Sequence, residues 1–169
     1  MLHGGVVAAM GTFFVFSDYM KPAVRIAALM QVPVKFIWTH DAFRVGEDGP
    51  THEPVEQEAQ IRLMEKLKNH AGKDSVRVFR PADADETTVC WKLAMENVET
   101  PTALIFSRQG IAKLPEGTDY EQAAKGAYIV AGSDENPDVI LVASGSEVST
   151  LEAGCEAVSY THLTLPTTE

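Results

Sequence analysis

Thr39 to Gln57, THDAFRVGEDGPTHEPVEQ, is the most informative segment of this 169-residue chain for its fold class. The residues before it, from Val34 to Trp38, are mostly β-branched or aromatic, which predicts a strand. The residues after it carry an apolar side chain at every fourth position from Val55 to Leu67, which predicts a helix. This order of strand, loop and helix is typical of an α/β fold, here a mostly parallel sheet flanked by helices.

The loop inside this stretch is long and polar. It contains Gly46, Gly49 and Pro50, and five side chains able to do polar chemistry: His40, Asp41, Glu47, Asp48 and His52. Glycine and proline with histidines at both ends favour a shaped turn over a disordered tail. Because ligands of open α/β sheets bind at the carboxyl ends of strands, the loop is a candidate site. The residues alone leave a second interpretation open, in which GEDGP is only a tight turn.

GEDGPTH, followed by EPVEQ and preceded by THD, closely resembles the pyrimidine-binding domain of transketolase, a thiamine-diphosphate enzyme. Several thiamine-diphosphate enzymes share GxDGPTH, whereas THD and EPVEQ resemble transketolase in particular. Phe43 and Arg44 stand where that family usually has small or aliphatic residues. The resemblance implies that His52 hydrogen-bonds or shuttles a proton beside the reacting hydroxyls. It also implies that Asp48 holds a substrate hydroxyl and selects its stereochemistry, and that His40 binds the terminal phosphate.

Three aromatic residues, Phe13, Phe16 and Tyr19, are spaced three apart near the N-terminus and on a helix would form one stripe. From the residues alone, a core stripe is the simpler interpretation. The segment also resembles the transketolase stretch whose aromatics pack around the aminopyrimidine ring of thiamine diphosphate, which implies cofactor-binding roles for these three. Pro22 is expected near the first turn of the helix that follows, where a missing N–H costs little.

A second strand end carries a candidate phosphate ligand, Arg108. The pattern downstream predicts a helix over 54–69, a strand over 76–80, a helix capped by Asp83 or Asp85, and a strand over 102–106. That last strand delivers the triplet SRQ, which resembles the transketolase position where an arginine grips the sugar phosphate. A guanidinium suits this role because its planar donors engage a phosphate in bidentate fashion. A surface arginine in an ion pair is the alternative.

The chain divides into four parts. The resemblance assigns residues 1–110 to an N-terminally truncated pyrimidine-binding domain, and composition predicts a linker over 111–126. Residues 127–158 resemble the start of the transketolase C-terminal domain, with strands at 127–131 and 139–143 and a helix capped by Ser144 or Ser146. Residues 159–169 do not resemble the family, and we expect a poorly ordered tail that arose from cloning or sequence assembly.

The resemblance implies that the chain is a fragment of an enzyme. The glutamate that activates the cofactor has no counterpart in it, and in the family an N-terminal domain of the partner subunit holds the diphosphate and a divalent metal, magnesium. The parent protein is therefore expected to be a homodimeric transketolase. It would move a two-carbon ketol unit between a ketose phosphate and an aldose phosphate in the pentose phosphate pathway. We expect the isolated chain neither to bind thiamine diphosphate tightly nor to catalyse this transfer, and to supply no metal ligands.

Charge and cysteine content limit the partners and the location. A formal net charge of −10 argues against nucleic acid and anionic membrane surfaces as partners. The sequence shows neither a signal peptide nor an apolar stretch long enough for a membrane span. Cys90 and Cys155 lack metal-ligand spacing and are predicted to be buried or half-buried free thiols, which is consistent with a cytoplasmic protein.

Two other functions stay open at this point. One is a related enzyme, a deoxyxylulose-phosphate synthase or a dehydrogenase E1 subunit, although THD, RPAD and SRQ favour transketolase. The other is a non-catalytic α/β module that dimerises through the stripe of Phe13, Phe16 and Tyr19, since an exposed apolar stripe favours association.

Overall fold

A four-stranded parallel sheet forms the centre of the computed structural model, which describes residues 1–41, 43–132, 137 and 139–162. The strands are β1 (Ala9–Phe13), β2 (Lys35–Thr39), β3 (Arg77–Phe79) and β4 (Thr102–Ile105), in the spatial order β1-β2-β4-β3. Each neighbouring pair is parallel. The predicted fold class, a mostly parallel sheet flanked by helices, is confirmed.

Four α-helices accompany the sheet. They are α1 (Ser17–Leu29), α2 (Gln57–Lys66), α3 (Ala84–Glu96) and α4 (Glu147–His162). Short 3₁₀ helices cover Phe14–Phe16, Phe43–Asp48 and Tyr120–Lys125. None of the helices in the described part of the chain is both long and apolar enough to cross a bilayer.

Both faces of the central strands β2 and β4 are largely buried, as is typical of parallel sheets. Ala103 and Ile105 of β4 belong to a core with α1 and α2, while Leu104 points into a second core with α3. The first core is anchored by stacked rings: Trp38 lies 5.6 Å from Phe14 and 5.9 Å from Phe36, measured between ring centroids. Successive side chains of β4 thus alternate between the two faces of the sheet. This alternation sets the directions in which side chains point at the ends of the central strands.

Several predicted boundaries near the N-terminus were wrong. Phe13 ends β1 and does not lie on a helix, so only Phe16 and Tyr19 occupy helical turns. We did not predict β1 because its sequence, AMGTF, shows no apolar alternation. In the structure most of this strand is exposed. Pro22 lies inside α1, beyond its first turn, because the helix starts earlier than the prediction assumed.

Asp83 is the N-cap of α3, which decides between the two predicted candidates. Its carboxylate accepts hydrogen bonds from the backbone N–H groups of Asp85 and Glu86, at 3.0 and 2.9 Å. The same carboxylate accepts from Leu114 N and Tyr120 Oη, both at 3.0 Å. The segment that we predicted as a linker therefore packs on α3.

The predicted strands over 127–131 and 139–143 were wrong for the residues that the structure describes there, which contain no strand. Val139, Ile140, Leu141 and Val142 are all more than half exposed. A strand exists only where a neighbouring backbone pairs with it, and no described segment pairs with these residues. A run of apolar, mostly β-branched residues is thus insufficient to form a strand when no neighbouring strand pairs with it.

The C-terminal helix and the cysteines also differ from expectation. Helix α4 begins directly after Ser146 and continues to His162, past the predicted start of the tail at residue 159. Residues 163–169 of that tail lie outside the described part of the chain. Cys90 is buried, which raises the pKa of its thiol to about 12, but Cys155 is exposed, contrary to prediction.

Candidate functional site

All seven predicted site residues gather at the carboxyl edge of the sheet. Phe13 is the last residue of β1, and it lies opposite Thr39, the last residue of β2. His40 follows β2 directly, and Arg108 stands three residues after β4. Because parallel strands all end at the same edge, these side chains converge without any local signal joining them.

His40 has an unusual backbone and a crowded ring. Its φ is +64°, in the left-handed region that costs a non-glycine residue about 1–2 kcal/mol. Its imidazole stacks on Phe13 with 3.7 Å between ring centroids. Nδ1 shares a hydrogen bond with Thr39 Oγ1 at 3.0 Å, and Nε2 lies 3.6 Å from Asp48 Oδ2. The ring is therefore held on one face and at one nitrogen, with Nε2 directed towards the loop.

The surroundings of His40 favour its neutral form. Burial lowers the pKa of His40 below its ordinary 6.5, and the nearby charge of Arg108 lowers it further. The carboxylate of Asp48 opposes this change without reversing it. A neutral imidazole can donate from one nitrogen and accept at the other.

Asp48 stands between the two predicted phosphate ligands. Its Oδ2 lies 3.4 Å from Arg108 Nε and 3.6 Å from His40 Nε2. That oxygen is buried and has no hydrogen-bond partner among the described residues. Gly46, with φ +81°, lets the arginine approach the loop, because a Cβ there would lie 3.0 Å from Arg108 Nη1. The loop thus places a hydrogen-bond acceptor, Asp48, close to a cation, Arg108, so that one small ligand can contact both.

His52 lies against the aromatic residues. Its Nδ1 shares a hydrogen bond with Thr51 Oγ1 at 2.8 Å, and its ring meets Phe13 and Phe16 edge-on, at centroid distances of 5.8 and 5.3 Å. Nε2 forms no hydrogen bond within the part of the chain that the structure describes. The ring is therefore oriented by one nitrogen and can act on a ligand through the other.

Phe13 and Phe16 form an aromatic wall beside these polar groups. Their rings lie 6.1 Å apart and within 18° of parallel, and both are half-buried. Tyr19 continues the row at 6.3 Å from Phe16 but is 83% exposed. Flat apolar walls of this kind bind heteroaromatic rings by burial and offset stacking. The residues present thus fit the pyrimidine ring of thiamine diphosphate.

Comparison with known proteins agrees with this geometry. The family model described as "Transketolase, pyrimidine binding domain" matches residues 1–113. The transketolase of Halalkalibacterium halodurans is 51% identical over 150 residues, which is 88% of this chain and 21% of that protein. The chain belongs to the transketolase family. The Bacillus subtilis transketolase is 49% identical over 159 residues, 92% of this chain and 22% of the relative.

Solved transketolases share the fold. A Pichia stipitis transketolase in complex with sedoheptulose-7-phosphate superposes with a TM-score of 0.78 and 38% identity, covering 91% of this chain and 21% of that one. The Leishmania mexicana transketolase superposes with a TM-score of 0.77 and 40% identity, covering 93% of this chain and 22% of that one. The chain thus spans about a fifth of the length of its transketolase relatives. These matches favour transketolase over the related enzymes that the sequence left open.

Sequence reasoning missed residues that orient the candidate site. Thr39 and Thr51 each precede a histidine and hydrogen-bond its Nδ1. The signal was available, since both candidate histidines occur in a Thr-His pair. Arg80, which forms a buried ion pair with Asp41 beside the site, was also not predicted. Arg80 follows β3 directly, so its position at a strand end was the available signal.

A cavity of about 280 Å³ adjoins this ion pair. Half of the eight residues that line it are acidic; the lining consists of Phe14, Asp41, Glu53, Pro54, Val55, Glu58, Arg80 and Glu147. Within the described ranges, no group of three or more histidine, cysteine or carboxylate side chains is arranged to hold a metal ion. In this transketolase chain the cavity is therefore a polar space beside the site, bordered by carboxylates that Arg80 partly neutralises.

Proposed function

We propose that this chain forms one half of a transketolase active site, and that the whole protein transfers a two-carbon ketol unit from a ketose phosphate to an aldose phosphate, as in the pentose phosphate pathway. One observation carries the proposal. Two histidines, a carboxylate and an arginine converge at one sheet edge, directly beside an aromatic wall: His40, His52, Asp48 and Arg108, with Phe13 and Phe16.

The phosphate end of the sugar is assigned to Arg108 and His40. A chain with a net charge of −10 must concentrate positive potential locally to hold an anion, and the charge of Arg108 acts on His40. Arg108 is 39% exposed, so a phosphate can reach its planar donors. His40 then adds one N–H at Nε2, and an arriving phosphate raises its tendency to bind a proton.

The hydroxyl end of the sugar is assigned to Asp48 and His52. Asp48 Oδ2, buried and without a hydrogen-bond partner among the described residues, suits a sugar hydroxyl that donates to it. A hydroxyl of the opposite configuration would leave this oxygen without a hydrogen bond, which is the physical basis for selecting stereochemistry. His52, oriented by Thr51, exchanges a proton with the reacting hydroxyls through Nε2.

Thiamine diphosphate, when bound, supplies the electron sink for breaking and forming the carbon–carbon bond. The wall of Phe13 and Phe16 would hold its pyrimidine ring, and Tyr19 would complete the wall at the exposed rim. We assign the diphosphate and its divalent metal, magnesium, to the N-terminal domain of a partner subunit. A cytoplasmic location is part of the proposal, supported by the free thiols of Cys90 and Cys155.

A homodimer is the proposed assembly. Its support is an exposed apolar stripe on α1, in which Tyr19, Pro22, Ile26 and Leu29 follow the helical period. We expect sedimentation of the chain to show a concentration-dependent dimer. Ile26→Glu should weaken this dimer about tenfold or more, because an unpaired carboxylate in an apolar interface costs more than about 1.4 kcal/mol. A chain that stays monomeric at every concentration would contradict this assembly.

The decisive test uses a chimeric transketolase in which this chain replaces the matching 150-residue region of the Halalkalibacterium halodurans relative. We expect ketol transfer by the chimera and none by the isolated chain. Within the chimera, Arg108→Met should raise KM for a ketose phosphate about 10–100-fold, because hydrogen bonds to charged groups contribute about 1.5–3 kcal/mol. KM for an unphosphorylated ketose should stay nearly unchanged.

Arg25→Met is the matched control for this test, since Arg25 is an exposed arginine on α1, away from the sheet edge. It should leave both KM values unchanged. An inactive but folded chimera would contradict the proposed function. Equal losses for phosphorylated and unphosphorylated ketoses in Arg108→Met would contradict the phosphate assignment alone.

A further inference from the structure

Arg80 is the centre of a buried charge cluster beside the candidate site. The side chain is 5% exposed and follows β3 directly. Its Nε and Nη2 lie 3.1 and 3.0 Å from Asp41 Oδ2, and its Nη1 donates to Glu58 Oε2 of α2 at 2.9 Å. One guanidinium thus joins the end of β3, the loop after β2 and the second helix.

The same cluster reaches the start of α4. Arg80 Nη2 is paired with Glu147, and Arg80 Nη1 donates to Ser144 Oγ at 3.2 Å. Ser146 Oγ donates to Asp41 Oδ2 at 2.9 Å, across 105 positions of sequence. Asp41 therefore receives hydrogen bonds from two distant segments, and its side chain is only 2% exposed.

Asp41 is the neighbour of His40, whose backbone is strained. A left-handed non-glycine residue persists only where the surrounding structure determines it from both sides. On the N-terminal side, Thr39 is fixed by pairing with Phe13, and Phe106 N donates to Trp38 O at 2.7 Å. On the C-terminal side, the fixed point is the carboxylate of Asp41, and Arg80 is its charged partner.

We propose that Arg80 is a positioning residue that, through Asp41, holds the backbone of His40 in its left-handed conformation and so keeps the imidazole between Phe13 and Asp48. The value of this placement for binding a sugar phosphate rests on the proposed function, but the placement itself does not. Arginine is needed because its rigid fork meets several separate acceptors at once, whereas a lysine offers a single point charge.

The test measures the His40 ring by NMR in the 169-residue chain, at a fixed alkaline pH where all five imidazoles are neutral. Stacking at 3.7 Å on Phe13 shifts the His40 ring protons upfield through the ring current. We expect Arg80→Lys to remove most of this upfield shift, while the edge contact of His52 with Phe16 stays as it is. Arg62→Lys is the control, because Arg62 also pairs with Glu58 but does not touch Asp41.

A milder variant keeps the test decisive if Arg80→Lys fails to fold. Ser146→Ala removes only the hydroxyl that donates to Asp41, and should move the His40 ring protons downfield by a smaller amount. Ser149→Ala, whose hydroxyl donates instead to the Ser146 carbonyl, should leave them unchanged. Wild-type His40 shifts in a folded Arg80→Lys protein would overturn the role of Arg80, and wild-type shifts in Ser146→Ala would overturn the role of the Asp41 carboxylate as the fixed point. Failure of the Arg108→Met test would leave this result unaffected, so the two proposals fail separately.

Discussion

Replacing His52 with alanine in the chimera is expected to lower kcat about 10²–10⁴-fold, the usual contribution of a positioned general acid or base. Thr51 orients the ring through Nδ1, and the edges of Phe13 and Phe16 support it. Alanine removes the proton-transfer group while leaving the phosphate ligands in place. We therefore expect KM for the ketose phosphate to change much less than kcat, as steady-state kinetics would measure.

His70 supplies the control for this experiment. It is exposed in the turn that leads into the start of β3, at the amino edge of the sheet, and His70→Ala should leave kcat unchanged. If the chain were a non-catalytic dimerisation module within the larger protein, ketol transfer would survive His52→Ala. Unchanged kcat in a folded His52→Ala chimera would therefore overturn the catalytic assignment.

Replacing Gly145 with alanine is expected to destabilise the 169-residue chain by about 2–4 kcal/mol. Gly145 has φ +59°, which strains any residue with a Cβ. That Cβ would also lie 2.6 Å from Arg80 Cγ and Nε and 2.9 Å from Cδ. The arginine cannot move aside cheaply because its head group is tied to Asp41, Glu58 and Glu147. Denaturant unfolding would measure the loss.

Gly154 provides a matched control in the same C-terminal segment. It lies inside α4, and a Cβ there would meet nothing within 4 Å. Gly154→Ala should stabilise the helix by about 0.5–1 kcal/mol, the ordinary gain from removing a helical glycine. If Gly145→Ala were as stable as the parent chain, the contact between residues 144–147 and Arg80 would not contribute to folding.

Much of the pyrimidine-domain architecture follows from local patterns. The run ending in Trp38, the four-residue apolar period after Val55 and the capping aspartate before α3 each predict an element that the structure contains. The observed boundaries of these elements differ from the predicted ones because helix starts depend on tertiary contacts. Gln57, for example, begins α2 buried, with its side chain bonded to Asp18 and the backbone of Val55. No spacing in EPVEQ indicates that contact.

The convergence of the candidate residues at one sheet edge was predictable, but their contacts were not. Strand-end position and the resemblance to transketolase select His40, His52, Asp48 and Arg108 as candidates from the sequence. The stacking of His40 on Phe13 was not predictable, because Phe13 was placed on a helix and β1 was missed. An exposed edge strand lacks the apolar alternation on which strand prediction depends.

Local properties of the chain, namely periodicity, turn residues and contiguous motifs, predict the α/β class, the central strands, the family and the polar residues of the candidate site. Tertiary packing sets which residues pair across the sheet edge, and it leaves residues 139–142 without a strand partner among the described residues. The same packing brings Ser146 into a hydrogen bond with Asp41 and Arg80 into an ion pair with Glu147 of α4. Hydrogen bonds and ion pairs between distant segments depend on how the elements pack, and no local pattern encodes that arrangement.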